Sequence, residues 1–225
     1  PDSVSLSRAQ LVARWGYRDG SVRFFRQRAV AAPNATPMLL CARLHGGEPI
    51  IAATVSADGT WLITGDALGE LAVWRLRHRS STLSLRAHVR LCAHKAPVRR
   101  VCCSGAHRSL ASLDASGLMI LWDLRKGVLL HVLRVCPRSS LAEGGDGDVD
   151  DFPSEALPGA CAIDETGETL VATQAQLQLW SVNGSLLAVS STPFGSAATS
   201  LALLRAPEWM VEALPITATG HADGS

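Results

Sequence analysis

Residues 96–124 read APVRRVCCSGAHRSLASLDASGLMILWDL and contain one complete unit of a pattern that recurs on either side. Residues 98–102 have strand composition, a polar Gly-Ala-His-Arg turn follows, and residues 109–113 form a second β-rich run. The corner Asp114-Ala115-Ser116-Gly117 leads to a third run at 118–122. Three short strands joined by tight turns predict an antiparallel meander. His94 stands four residues before Val98, and the pair Trp122-Asp123 closes the third run.

The same arrangement returns on both sides. Trp74, Trp122 and Trp180 close LAVW, MILW and LQLW, 48 and 58 residues apart. The first interval approaches the roughly 40–45 residues of a WD repeat, and the second is longer by about one loop. The chain is therefore expected to be all-β: a partial WD-repeat β-propeller of four to five blades out of seven, with almost no helix. Residues 50–55, 61–64 and 71–74 supply one unit, and residues 159–163, 170–173 and 177–180 another. Outer strands are expected at 38–43, 128–135 and 186–190, and one more within the basic connector 75–90, otherwise a solvated loop. A fifth unit opens at 198–205 and continues at 216–219. At the other end, residues 10–15 and 21–25 predict a hairpin in which Phe25 takes the place of the closing Trp. Residues 1–225 thus read as one propeller segment that starts and ends inside blades. Residues 137–157 hold an acidic insertion, EGGDGDVDD at its centre, expected to be disordered.

Composition narrows the function. With 21 basic and 20 acidic residues the formal charge is +1, which gives no broad electrostatic footprint for nucleic acid or an anionic membrane. The basic segment RLRHRSSTLSLRAHVR has no interleaved aromatic on which a base would stack. No run of about 18 apolar residues is present, so membrane association is expected to be indirect at most. PDSVSLSRAQ at the N-terminus lacks the pattern of a signal peptide. The six cysteines show no Cys-x-x-Cys spacing and are read as buried, reduced thiols of a cytoplasmic protein. Cys102 and Cys103 are adjacent on one strand and are expected to face opposite ways.

Motifs that carry chemistry are absent: Gly-x-Ser-x-Gly, a phosphate-binding Gly-rich loop and His-Glu-x-x-His do not occur. His45 and His94 fall on repeat positions, while His78, His88, His107, His131 and His221 share no metal-ligand spacing. Asp146-x-Asp148-x-Asp150 copies the start of a calcium loop, but Phe152, Pro153 and Leu157 occupy later ligand positions. No catalytic residue, metal or cofactor is expected. Two rival readings stay open, a propeller hydrolase or lyase with a central-channel site and a phosphoinositide-binding propeller; Phe24-Phe25-Arg26-Gln27-Arg28 is not the paired-arginine motif of the latter.

The segments WGYRDGSVRFF, MILWDLRKGVLLHVLRV, LQLWSVNGSLLAV and PITATGHADGS together resemble the C-terminal WD-repeat region of BEACH-domain proteins. The lysosomal-trafficking-regulator and ALFY-like (FYVE-and-WD) branches are nearest in pattern. The resemblance implies a non-catalytic interaction module of a large cytosolic scaffold, with a role in vesicle or lysosomal trafficking or selective autophagy. Implied partners are proteins or peptides and neighbouring domains of the same chain, the BEACH domain among them, with the protein cytoplasmic or peripheral on endomembranes. A full WD blade links a loop His, a strand Ser or Thr, a corner Asp and the Trp by hydrogen bonds. His45, Thr64 and Trp74 fit in one unit and His94, Ser112, Trp122 and Asp123 in the next; Trp180, Thr219 and Asp223 mark later units. With Leu68 and Ser116 taken as the corner residues, both tetrads are expected to be weakened. Recognition is expected on the rim carrying the His loops and second corners, at Tyr17, Arg18 and Lys95.

Overall fold

The computed structural model describes residues 3–6, 11–15, 19–26, 38–79, 82–135, 159–173, 176–191, 198–204 and 216–221. Among them the only helical piece is the 3-10 turn His45–Gly47. The expected insertion at 137–157 lies outside the described residues.

The first sheet contains β1 (Ser3–Leu6), β2 (Leu11–Trp15), β3 (Ser21–Arg26) and β4 (Met38–Arg43). The second contains β5 (Ile50–Val55), β6 (Trp61–Asp66), β7 (Glu70–Arg79) and β8 (Thr82–Cys92). The third has β9 (Val98–Ser104), β10 (Ser109–Asp114), β11 (Leu118–Asp123) and β12 (Val128–Arg134). The fourth has β13 (Ala160–Ile163), β14 (Thr169–Ala172), β15 (Gln176–Trp180) and β16 (Leu186–Ser191), and β17 (Ala198–Leu204) pairs with β18 (Ile216–His221). Strands follow one another in spatial order within each four-stranded sheet, all antiparallel. The first strand of each sheet packs on the first strand of the next, β5 on β9, β9 on β13 and β13 on β17. The sheets are therefore radial blades around a common inner edge, an arc of a β-propeller.

One device recurs in all four complete sheets. The pairing of the third with the outer strand slips by one residue at Phe24/Phe25, Val73/Trp74, Leu121/Trp122 and Leu179/Trp180. A bulge bends a strand and re-aims the next side chain. Here it falls immediately before the closing aromatic every time, and Phe25 occupies the place of the Trp.

Hydrophobic burial lies between the blades. β10 is buried along its whole length, so it needs apolar or hydrogen-bonded side chains on both faces. Leu110 joins Ile63, Leu71, Val73 and Trp122 on the side of the second sheet, while Ala111 and Leu113 join Met119 and Val171 on the side of the fourth. Cys103 packs with the first group and Cys102 with the second, the opposite facing that a period of two requires. Each fully buried Leu or Ile contributes about 1.5–3 kcal/mol.

Three expectations are corrected. The first sheet is four-stranded and not a blade entered midway: Ser3–Leu6 pairs with β2 through Ser3↔Trp15 and Leu6↔Val12. Four residues with no turn signal beside them gave too little pattern to read. The connector 75–90 is not a solvated loop but part of a long ribbon in which β7 and β8 pair from Glu70↔Cys92 to Arg79↔Thr82. Its leucines alternate with basic residues, and Leu76 and Leu83 are buried against Val22, Phe24 and Leu62. Cys41 and Cys92 are exposed rather than buried, because β4 and β8 are outer strands with a solvent-facing side.

Candidate interaction surfaces

The chain's most conspicuous polar residues are turned inward. His45 ends the connection from β4, and its backbone takes the left-handed φ of 51° that starts the 3-10 turn. Its Nδ1 lies 2.9 Å from Asp66 Oδ2 and its Nε2 2.7 Å from Thr64 Oγ1, which also accepts the Trp74 indole N–H at 3.0 Å. The third sheet repeats this with His94 Nδ1 2.9 Å from Asp114 Oδ2 and Nε2 2.7 Å from Ser112 Oγ, on which Trp122 Nε1–H donates at 2.8 Å. A carboxylate only accepts, so Nδ1 carries the proton. The Ser112 hydroxyl accepts from the indole and gives its hydrogen to Nε2, a closer partner than the Ile120 carbonyl at 3.4 Å.

The corner residue is therefore Asp66 or Asp114, not Leu68 or Ser116, and both tetrads are complete. Each Asp precedes its turn: Oδ2 reaches the His, while Oδ1 accepts the N–H groups of Leu68 and Glu70, or of Ser116 and Leu118. Burial raises the pKa of Asp114, but the hydrogen bonds from His94, Ser116 and Leu118 outweigh it and hold the carboxyl below its ordinary 3.8. Gly69 closes the corner at φ +87°, where a Cβ would stand 2.6 Å from the His94 carbonyl oxygen. The corner of one blade thus nests against the His loop of the next. These groups hydrogen-bond one another in the interior and are arranged as blade fasteners.

Other sequence-marked residues have different places. Asp123 is not bonded to the tetrad; its Oδ1 accepts Arg125 and Lys126 N–H at 2.8 Å and shapes the turn into β12. Trp180 has the closing position but no hydroxyl: the register puts Val171 opposite Gln178, where Ser112 stands opposite Ile120, and the buried Trp180 indole nitrogen has no partner. Thr173 caps that corner instead, accepting Gln176 N–H at 3.0 Å. Thr219 lies on β18 opposite Leu201. Lys95 is exposed beside His94, while Tyr17, Arg18 and Asp223 lie outside the described residues.

Two surface features went unread in the sequence. The first is a cleft of about 610 Å3 between the second and third sheets, lined by Asp58, Thr60, Trp61, Arg75, His88, Gly105, Arg108 and Arg125. It lies on the rim opposite Lys95, formed by the turns after first and third strands. The Arg75 guanidinium lies 5.8 Å over the Trp61 ring, whose centroid is 5.1 Å from that of His88 at a 58° tilt. His88 Nε2–H donates to the Arg125 carbonyl at 3.1 Å. These residues span positions 58–125, and only the registration of two blades gathers them. The second feature is an apolar edge. Val128, Leu129, Leu130 and Val132 on β12 and Leu186, Leu187 and Val189 on β16 are each 40–51% exposed. The two strands approach each other where Gly184 packs against His131. Both strands are legible in the sequence, whereas their exposure depends on what packs over them.

Radial four-stranded sheets fastened by His, Asp, Ser or Thr and Trp define a WD-type β-propeller. No family model matches the chain. Over 182 residues it is 31% identical to Protein SPIRRIG of Arabidopsis thaliana, and over 185 residues 31% identical to BEACH domain-containing protein A2 of the same plant. These alignments cover 79% and 80% of this chain and 4% of each relative. Among solved structures, a chain of the crystal structure of mitotic checkpoint complex matches 97% of this chain and 56% of its own, at TM-score 0.65 and 17% identity, a likeness of fold. The chain is a WD-repeat region that resembles part of the plant BEACH-domain proteins.

Proposed function

We propose that this chain is a non-catalytic interaction module of a large BEACH-type scaffold, and that its outer edge packs against neighbouring domains of the same protein, the BEACH domain first among them. The observation that carries this reading is the run of seven large apolar side chains exposed on β12 and β16. Exposed apolar clusters on a folded surface mark sites that another surface covers. The relatives, of which this chain spans 4%, leave ample protein to cover it. The tetrads support the non-catalytic part, since the buried His and Asp side chains are engaged in fastening blades. Tyr17, Arg18 and Lys95 are a second proposed contact; of the three, Lys95 is described and is exposed beside His94. A lysosomal-trafficking-regulator or ALFY-like branch, with cytoplasmic placement and an indirect endomembrane role in trafficking or autophagy, completes the proposal.

Cross-linking mass spectrometry of the full-length protein tests it. Cross-links between the β12–β16 edge and the BEACH domain are expected, and Val132→Lys combined with Val189→Lys should remove them while leaving the propeller folded. An unchanged cross-link map in that double variant would refute the assignment of the edge.

A further inference from the structure

We propose that the cleft between the second and third sheets is a binding site for an extended peptide bearing an anionic side chain, with Arg75, Arg108 and Arg125 as the anion-holding groups and Trp61 as the platform beside them. Its volume of about 610 Å3 falls within the roughly 300–1,000 Å3 of ligand-binding clefts. Three guanidinium groups and one carboxylate line it, so the site is net positive in a chain whose overall charge is only +1. None of the three arginines forms an ion pair among the described residues. The one acid, Asp58, is already engaged: it accepts the hydroxyls of Ser56 and Thr60 and the Thr60 N–H. Burial pushes its pKa up, but those bonds more than offset it, so the carboxylate is held by its own turn rather than by an arginine.

Backbone geometry strengthens the assignment. Arg108 has φ +59°, one of two non-glycine residues found at positive φ among those described. An L-residue with a long side chain is disfavoured there by about 1–2 kcal/mol, and glycine is the ordinary occupant. Conformations of this kind concentrate where a side chain is needed at one place. The turn is held by the Arg108 carbonyl, which accepts Leu124 N–H at 2.8 Å, so Arg108 and the Arg125 turn are fixed relative to each other. The Arg75 guanidinium lies 5.8 Å from the Trp61 ring centroid, within cation–π range, which keeps the charge beside the aromatic platform. Planar forks favour bidentate contact with phosphate or carboxylate oxygens. A peptide fits better than a membrane, because Trp61 is half-buried in a concave cleft and does not protrude toward a bilayer.

Binding of degenerate fluorescent peptide libraries to the full-length protein tests the proposal, with phosphothreonine, a Glu-Glu pair or alanine fixed at the centre. Vesicles containing a phosphoinositide serve as the membrane arm. One or both anionic libraries should bind at least tenfold more tightly than the alanine library, the tighter naming phosphate or carboxylate as the source. Arg75→Gln should weaken that binding roughly tenfold. Arg108→Gly separates site from scaffold: it should weaken binding similarly while the unfolding temperature stays equal or rises, since glycine relieves the left-handed turn. Equal binding of all three libraries, binding untouched by both substitutions, or capture by vesicles alone would each overturn the assignment.

Discussion

Ser112 shows how much a small side chain settles. Its hydroxyl joins the Trp122 indole to the His94 imidazole, and Thr64 does the same between Trp74 and His45. Ser112→Val would leave two buried polar atoms unpaired, at about 1–3 kcal/mol each, whereas Ser112→Thr keeps the oxygen. Denaturant unfolding should place Ser112→Val about 2–4 kcal/mol below the parent and Ser112→Thr within about 1 kcal/mol. The fourth sheet offers the reverse experiment. Val171 stands where the hydroxyl is needed and the Trp180 indole is orphaned, so Val171→Thr should stabilise by about 1 kcal/mol. A loss of stability in a thermal melt would show that Trp180 does not use this position. Asp114 adds a pH dependence. Its folded pKa lies below the unfolded value, so its contribution is present above about pH 4 and is lost as pH falls through the folded value. The stability gap between the parent and Asp114→Asn should be constant from pH 5 to 7 and shrink below about pH 4. His, Thr or Ser and Trp were legible from spacing. The Asp was not, because it precedes the turn it caps while the sequence drew the eye to the middle of that turn.

At the scale of elements, period-two alternation decided most strands. It worked best where both blade faces were covered and turns carried Gly and Asp, as at 50–55, 61–66 and 109–123. It under-read 75–90, where the arginines masked leucines that alternate in the ribbon and bury on one side. The same alternation sorts the cysteines. Burial, and then the charge of Asp58, pushes the Cys103 thiol up to about 12, and Cys102 is held well above its ordinary range by its bond with Cys161 and by burial. Thiolate is the reactive species, so both should resist alkylation at neutral pH. Mass spectrometry after iodoacetamide treatment should find Cys41 and Cys92, on outer strands, modified before Cys102 and Cys103. Modification of Cys103 at the same rate would contradict the packing of β9. The cleft stayed unread for a different reason: residues as distant as Asp58 and Arg125 meet only once two blades are registered.

For the molecule as a whole, the hydrogen-bonded fasteners lie inside, and the surfaces proposed for recognition lie on the rims and the outer edge. Blade-to-blade contact is carried by apolar layers and by corners nested against the next blade's His loop, so adjacent blades should gain and lose structure together. Amide hydrogen exchange of the full-length protein, followed across residues 50–134, tests this most directly. β5, β6, β7, β9, β10 and β11 should share one slow exchange rate set by cooperative opening, with β12 faster at the edge. Fast exchange in β9 and β10 with slow exchange confined to the second sheet would contradict the propeller arc.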